Sequence, residues 1–240
     1  MFNLFQKRIK KDLSLIDEVQ KINSDVKVDF GGGCSNEKAL IMGYLIKEFK
    51  IDLSVDIGVY RGRSLFAQAV AHKKFSKGKV YGIDPYSADA ALQLDAPELK
   101  GALDLFLAKT NFDDLYNDVI SKIKNEGLNG NCELLRLKSD EAAHFFIKNK
   151  IELGMVHIDG NHDTNFVMND VKNYVQLLSE KAFIVLDDVS WKSIKPAFDL
   201  LHDRMNYVGK IVNKNNDFAL FSRGFEKADF QYLKTVFRVV

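Results

Sequence analysis

The feature that most constrains the fold is a regular alternation of short β-rich runs with longer amphipathic runs, beginning at residue 51. Five runs favour strands, and a helical run follows each of them. The strand-like runs are 51–57, 79–83, 132–137, 153–159 and 182–186. The helical runs are 63–72, 115–124, 141–148, 165–178 and 194–204. This alternation predicts a doubly wound α/β fold, with a parallel sheet and helices on both faces.

The end of the chain breaks this alternation. Residues 207–212 and 218–222 are both strand-like, and the segment between them, 213–217, is rich in Asn. Such a connection predicts a hairpin. We therefore expect a Rossmann-like sheet of seven strands that ends in an antiparallel C-terminal hairpin strand.

Two helices precede the alternating region. Apolar residues recur at helical spacing over 3–22, and a second helical run covers 36–49. We predict that residues 1–50 form a helical extension or lid and that residues 51–240 form the main domain. The long connection 86–112 is a further candidate lid. The apolar stripe of the first helix needs a partner surface, and docking onto the rest of the chain and formation of a homodimer are the two outcomes that we expect.

Composition narrows the range of partners. Lys and Arg total 34 against 33 Asp and Glu, so no excess positive charge favours nucleic acid. No apolar run reaches the length of a membrane span, and the N-terminus lacks the apolar block of a secretion signal. We expect a cytoplasmic protein with a small-molecule or sugar partner. The only two cysteines, Cys34 and Cys132, are too few for a disulfide framework, and we interpret both as reduced.

The strongest motif is the run Asp-Ile-Gly-Val-Tyr-Arg-Gly-Arg-Ser at 56–64, which follows the first strand and opens a helix. At such a turn glycine lets the backbone bend sharply and lets a ligand come close. Gly58 and Gly62 are therefore predicted to contact a cofactor. The second strand ends in Asp84 and Pro85, which places a carboxylate where these folds hold ribose hydroxyls.

A nicotinamide dinucleotide is the main alternative cofactor. Its pyrophosphate favours a tight Gly-x-Gly-x-x-Gly turn, whereas Tyr60 stands at the place of the second glycine. S-adenosylmethionine (SAM) carries no phosphate and tolerates the bulkier loop. The residues favour SAM, and a purely structural turn is the other interpretation.

Residues 56–65 resemble the cofactor loop of catechol-type and related metal-dependent O-methyltransferases, which are class I SAM-dependent methyltransferases. The resemblance covers roughly 51–222, and its later motifs also resemble bacterial enzymes that methylate sugars and glycans. It implies that Asp56 lies near the methionine amino group, that Asp84 holds the ribose, and that Ser139 and Asp140 border the adenine. A helix N-cap is the alternative role for Ser139 and Asp140. The predicted cofactor-binding residues are Asp56, Gly58, Tyr60, Gly62, Ser64, Asp84, Pro85, Ser139, Asp140 and Asp159.

Three acids follow neighbouring strands of the predicted sheet. Asp159 ends the fourth strand, and Asp187 and Asp188 follow the fifth. Three carboxylates at one sheet edge repel one another unless they are protonated or bind a cation. Oxygen ligands suit Mg²⁺ or Mn²⁺, and the resemblance implies a divalent metal here, although the family carries an amide at the position of Asp188. The alternative is that these acids only cap helices.

His162, three residues after Asp159, is the predicted general base. The catechol-type pattern has a lysine at this position, and an imidazole has a pKa suited to proton transfer at neutral pH. A hydrogen-bonded loop histidine is the alternative. Trp191 follows the acids and is expected to line the acceptor pocket or to pack under the next helix.

These observations predict an O-methyltransferase that moves a methyl group from SAM to a hydroxyl of a small molecule, with a sugar or glycan precursor favoured. His162 and Asp159 are the predicted catalytic residues. Two alternatives stay open: a catechol or phenol methyltransferase, and a module that binds SAM without catalysis.

Overall fold

The computed structural model describes residues 13–29, 33–95, 100–213 and 216–225. Its strands, numbered in chain order, are β1 Leu53–Ile57, β2 Lys79–Ile83, β3 Cys132–Leu135, β4 Leu153–Ile158, β5 Leu178–Asp187, β6 Asn206–Asn213 and β7 Asn216–Arg223. The helices are α1 Leu13–Asn23, α2 Asn36–Phe49, α3 Arg63–Ala71, α4 Ala88–Ala91, α5 Lys100–Lys109, α6 Phe112–Asn125, α7 Ser139–Lys148, α8 Thr164–Val175 and α9 Lys195–Arg204.

One seven-stranded sheet organises the chain, in the order β3-β2-β1-β4-β5-β7-β6. The first five strands pair in parallel, and β7 pairs antiparallel with both β5 and β6. The predicted doubly wound fold and its C-terminal hairpin are confirmed. The strand order reverses between β1 and β4, and ligands of such sheets bind at that point, beyond the carboxyl ends of the strands.

Alternate residues of the central strands point into separate cores on the two faces. Val156 and Ile158 of β4 belong to the core that α7, α8 and α9 cover. Met155 belongs to the opposite core, where it meets Met42 and Leu45 of α2. Helix α2 thus shares a core with the sheet, while residues 1–12 lie outside the described residues, so the division at residue 50 stays a prediction.

Several boundaries differ from the sequence predictions. Strand β5 begins at Leu178, earlier than predicted, because Leu178 pairs with Leu153 beyond an irregularity in the β4–β5 ladder. The connection 86–112 contains two helices that its weak periodicity did not predict. The first of these, α4, is capped by Ser87, whose hydroxyl accepts a hydrogen bond from Ala90 N at 3.4 Å. Residues 3–12 of the first predicted helix, and residues 214 and 215 of the hairpin turn, lie outside the described residues.

Both cysteines are buried and unpaired with one another, as the sequence predicts. Burial raises the pKa of the Cys34 thiol to about 12, which disfavours the reactive thiolate. Among the described residues, none of the helices has the length and apolarity needed to cross a membrane.

Gly58 lies at the contact between the ends of β1 and β4, and substitution of this glycine tests the contact. Its φ is +83°, and a Cβ built on it would lie 1.9 Å from the carbonyl oxygen of Asp159. We predict that Gly58→Ala lowers the free energy of unfolding, measured by urea denaturation, by at least about 2 kcal/mol, because both the strained φ and the clash oppose folding. Gly101→Ala is the matched control: no atom lies within 4 Å of its Cβ position, and alanine in helix α5 should be neutral or stabilising by up to about 1 kcal/mol. Equal stabilities of the Gly58→Ala and wild-type proteins would contradict this packing.

Candidate functional site

The loop after β1 curls back over the end of β2. Gly58, Tyr60 and Gly62 all have positive φ, of +83°, +49° and +85°. The Asp84 carboxylate accepts hydrogen bonds from the backbone N–H of Tyr60 at 2.9 Å and of Tyr86 at 2.8 Å. Burial raises the pKa of Asp84, and these two donors act against that rise. The predicted ribose-binding acid therefore also holds the cofactor loop in its conformation.

The side chain of Tyr60 is held by the segment before helix α2. Its hydroxyl donates a hydrogen bond to Asp29 Oδ1. Arg61 binds the same carboxylate through two hydrogen bonds, of 3.0 Å and 2.8 Å. Burial acts to raise the pKa of Asp29, but Arg61, Tyr60 and Lys27 outweigh it and lower the pKa to about 2. An ionised Asp29 thus anchors the outer edge of the loop.

Arg63, the first residue of α3, also binds residues that lie before β1 in the chain. Its guanidinium donates to the carbonyl oxygens of Cys34 at 2.7 Å and Asn23 at 2.9 Å, and to Asn36 Oδ1 at 3.0 Å. Asn23 returns a hydrogen bond to the Arg63 carbonyl at 3.2 Å. Asn23, Cys34 and Asn36 are therefore attached by polar contacts to the first residue after the cofactor loop.

Asp56 and Ser64 lie beneath this loop in a buried hydrogen-bond network. Asp56 is fully buried and accepts from Ser64 Oγ at 2.7 Å and Gln68 Nε2 at 3.2 Å. Its Oδ1 also lies 2.6 Å from Nδ1 of His157, which is itself fully buried. In this structure Asp56 and Ser64 support the turn from within, and their predicted contact with a cofactor stays a prediction.

Ser139 and Asp140 form the first turn of α7, at the end of β3. Lys138 precedes the helix as its cap residue, so the N-cap interpretation of these two side chains is wrong. Ser139 instead donates its hydroxyl to the buried Asp170 of α8. Asp140 is exposed. Burial raises the pKa of Asp170 to about 7.

The three predicted metal-binding acids lie together at the ends of β4 and β5, and Lys38 of helix α2 lies among them. Its Nζ is 3.2 Å from Asp159 Oδ2 and forms a shorter contact with Asp187 Oδ2. Burial disfavours the ammonium, but Asp159 and Asp187 outweigh it and raise the pKa of Lys38. Burial and the charge of Asp159 raise the pKa of Asp187 well above its usual range. Lys38 therefore carries a positive charge that the carboxylates require.

His162 pairs with the remaining acid. Its Nε2 lies 2.7 Å from Asp188 Oδ2 and 3.6 Å from Asp159 Oδ1. Its Nδ1 lies 3.1 Å from the side-chain nitrogen of Gln93, and the Trp191 ring centroid is 5.0 Å from the imidazole. Burial acts against the charged imidazolium, but Asp159 and Asp188 outweigh it and raise the pKa of His162 to about 10. The two acids therefore favour the charged imidazolium in this conformation, and the role of His162 as a general base stays a prediction.

The loop that carries His162 is attached to the connection 86–112. The Asp163 carboxylate accepts from the backbone N–H of Leu94 at 2.8 Å and of Asp95 at 2.7 Å. Asn161 Nδ2 donates to the carbonyl oxygens of Ala90 at 3.0 Å and Leu92 at 2.7 Å. Part of the predicted lid thus lies against the acidic cluster in this structure.

Several residues of this site were not predicted. Lys38 shares the buried face of α2 with Met42 and Leu45, and a lysine at such a position was the available signal. Asp163 lies beside the predicted His162 but carried no motif of its own. Asp29 and Gln93 lie in segments without periodicity, so only the folded chain reveals their contacts.

The sheet, with antiparallel β7 between β5 and β6, has the fold of class I SAM-dependent methyltransferases. Residues 55–189, more than half of the chain, match the profile of a family described as a methyltransferase domain. The chain belongs to this methyltransferase family. Comparison with curated protein sequences gives no significant match.

Solved structures with the same fold include methyltransferases from bacteria and a fungus. An O-methyltransferase from Bacillus cereus, in complex with S-adenosylhomocysteine, is 14% identical, with a TM-score of 0.61 over 87% of this chain and 90% of that one. The O-methyltransferase TomG from Streptomyces achromogenes, in complex with SAM, is 11% identical, with a TM-score of 0.59 over 87% and 88%. The methyltransferase PaMTH1 from Podospora anserina is 14% identical, with a TM-score of 0.56 over 89% and 88%.

Asp170 gives a prediction for the pH dependence of stability. Its folded pKa of about 7 lies above the model-peptide value of 3.8, so folding favours the protonated acid. Stability contributed by that proton is complete below about pH 4 and is lost as the pH rises through 7. Asp170→Asn should therefore raise the free energy of unfolding at pH 8 by on the order of 2–4 kcal/mol, and by little at pH 4.

Urea denaturation at both pH values checks this expectation. Asp118→Asn, at an exposed position on α6, is the control and should change stability by no more than about 0.5 kcal/mol. A gain for Asp170→Asn that is the same at pH 4 and pH 8 would show that the raised pKa is not its cause.

Proposed function

We propose that this protein is a SAM-dependent O-methyltransferase that acts on a hydroxyl group of a small molecule. The observation that carries the proposal is the position of the cofactor loop 58–62 and Asp84 beside the acids of β4 and β5. All of them lie at the carboxyl edge of the sheet, where the strand order reverses. This arrangement supports a binding site for SAM next to polar groups that can hold an acceptor oxygen.

The residues around Asp84 suit the adenosine part of SAM. Each oxygen of this carboxylate accepts one backbone hydrogen bond and keeps a lone pair that can accept another. Two ribose hydroxyls are donors of the required kind. The half-buried position of Asp84 leaves part of the residue accessible to a ligand.

The groups available to an acceptor include His162 and the two acids that it contacts, Asp159 and Asp188. The ring of Trp191 lies beside the imidazole of His162. When bound, SAM supplies an electrophilic methyl group, and alignment of the acceptor oxygen with it provides much of the rate. The imidazole and its aromatic neighbour can orient the acceptor. Asp188, in contact with His162 Nε2, is positioned to receive the hydroxyl proton, which becomes more acidic as the oxygen gains its methyl group.

The predicted assistance by Mg²⁺ or Mn²⁺ has mixed support in the geometry. Candidate ligand atoms of His157, Asp159 and Asp187 lie within 4.8 Å of one another, as do those of Asp159, His162 and Asp188. The ammonium of Lys38 contacts Asp159 and Asp187, however, and His162 pairs with Asp188. A metal would have to displace these cations, so the residues present do not fit it, and no catalytic step is assigned to a metal.

A sugar or glycan precursor is the acceptor that we favour, and a catechol or phenol is the alternative. The preference rests on the resemblance of the later motifs, 158–162 and 186–188, to sugar-modifying enzymes. TomG is described as taking part in tomaymycin synthesis, which is consistent with small-molecule acceptors for this fold. A panel of nucleotide sugars and catechols, assayed with labelled SAM, separates these acceptors. Cofactor binding with no transfer to any acceptor would favour a module without catalysis.

Cofactor binding can be tested by calorimetric titration with SAM, S-adenosylhomocysteine and NAD. We predict that the wild-type protein binds the first two and not NAD. Asp84→Asn should weaken SAM binding at least about tenfold, because the amide is a poorer partner for ribose hydroxyls than the carboxylate.

Asp52→Asn is the control for this titration, since Asp52 is exposed at the amino end of β1, away from the site. Its affinity for SAM should equal that of the wild type. Wild-type protein that binds NAD and not SAM would refute the proposed cofactor.

The role of His162 in catalysis can be tested by measuring kcat. With the best acceptor of the panel, His162→Gln should lower kcat at least about 100-fold, because the acceptor loses an orienting group and Asp188 loses its charged partner. Its affinity for SAM should stay within a few-fold of the wild type. His144→Gln, at an exposed position on α7, is the matched control and should retain full turnover. An unchanged kcat in His162→Gln would remove this residue from the mechanism.

A further inference from the structure

Lys38 has an unusual position for a lysine. It lies on helix α2, only 5% exposed, on the same face as Met42 and Leu45. A lysine is almost never buried to this extent unless its charge is paired. Its ammonium reaches across the sheet edge to two carboxylates from neighbouring strands, Asp159 of β4 and Asp187 of β5.

This position is the one at which a bridging cation would lie. Asp159 and Asp187 are both candidate metal ligands by spacing, and the ammonium contacts one oxygen of each. A magnesium ion bound to the same carboxylates needs oxygens at about 2.0–2.1 Å in an octahedron. It would therefore have to share its immediate surroundings with a positive charge, and Coulomb repulsion between the two cations opposes its binding.

The charge balance of the site supports the same assignment. Three acidic side chains, Asp159, Asp187 and Asp188, meet two basic side chains, Lys38 and His162. Within the described part of the chain, a basic protein group thus already contacts each of the acids that led us to expect a metal. The repulsion that a metal would relieve is already relieved.

We infer that Lys38 is the built-in cation of this methyltransferase, holding Asp159 and Asp187 in place at the position where the sequence motifs predict a divalent metal, so that methyl transfer here is metal-independent. Lys38 is a positioning residue in this scheme, since it acts through the two carboxylates. The inference deepens the proposed function and rests on it for the reaction, but the identity of the cation can be measured without any turnover.

Removal of the ammonium should convert the cluster into a metal site. Lys38→Ala removes the ammonium that contacts Asp159 and Asp187 at the sheet edge, and oxygen ligands of this kind bind Mn²⁺. Mn²⁺ binding is measured by electron paramagnetic resonance and calorimetry on protein first treated with EDTA. We expect no stoichiometric binding to the wild type, and binding at least about tenfold tighter to Lys38→Ala.

Three further proteins complete the design. Lys38→Met keeps most of the apolar stem, so it should gain the Mn²⁺ site even if the alanine variant fails to fold. Lys38→Met with Asp187→Asn should lose that site again, which assigns the bound ion to the cluster. Lys47→Ala, on the same helix with its side chain outside the cluster, should bind Mn²⁺ no better than the wild type.

Two results would overturn the inference. One is stoichiometric Mn²⁺ binding by the wild type that Asp159→Asn abolishes. The other is a folded Lys38→Met protein, judged by circular dichroism, that binds no more Mn²⁺ than the wild type. A purely structural lysine would give this second result, because it predicts lower stability without a new metal site.

Activity provides a second, separable measurement. With an acceptor from the panel, EDTA should leave wild-type turnover unchanged, and a complete loss that Mn²⁺ restores would contradict metal independence. Absence of SAM binding or of transfer to every acceptor would instead count against the proposed function. The Mn²⁺ measurements on the cluster would stand in that case, so the two failures are distinguishable.

Discussion

The close approach of Gly58 to the carbonyl of Asp159 is the constraint on which the rest of the site depends. No side chain fits between them, since a Cβ at residue 58 would lie 1.9 Å from that oxygen. The backbone N–H of Asp159 also donates to the carbonyl of Ile57 at 3.0 Å. The cofactor loop after β1 and the acidic cluster after β4 are thereby held side by side at the reversal of strand order. We expected Gly58 to allow the close approach of a ligand. In this structure its missing Cβ allows the close approach of the backbone that follows β4.

Electrostatic balance then decides which chemistry the acidic cluster can support. Buried carboxylates are costly unless a partner compensates them, and removal of one partner leaves an uncompensated charge. Lys38 and His162 both provide such compensation, through short contacts to Asp187 and Asp188. The same contacts favour the charged form of His162, and this is why we propose a carboxylate, Asp188, as the proton acceptor.

The fold could be predicted from the sequence because strands and helices alternate with clear periodicity. The carboxyl ends of β1, β2, β4 and β5 carry Asp56, Asp84, Asp159 and Asp187, and parallel pairing alone brings these ends together. The sequence did not allow us to predict which side chains each carboxylate binds. Asp56 is enclosed by Ser64, Gln68 and His157, and Asp187 by Lys38, and these partners come from positions up to 149 residues away.

The segment before β1 is therefore part of the site and not only an addition to it. Asp29 holds the cofactor loop, Asn23 and Cys34 accept hydrogen bonds from Arg63, and Lys38 enters the acidic cluster. The family match begins at residue 55, so it contains the carboxylates and lacks the lysine that pairs with them. The cation that we infer for the acidic cluster therefore lies outside the matched residues, at a single buried position on α2, a helix that carries no motif of its own.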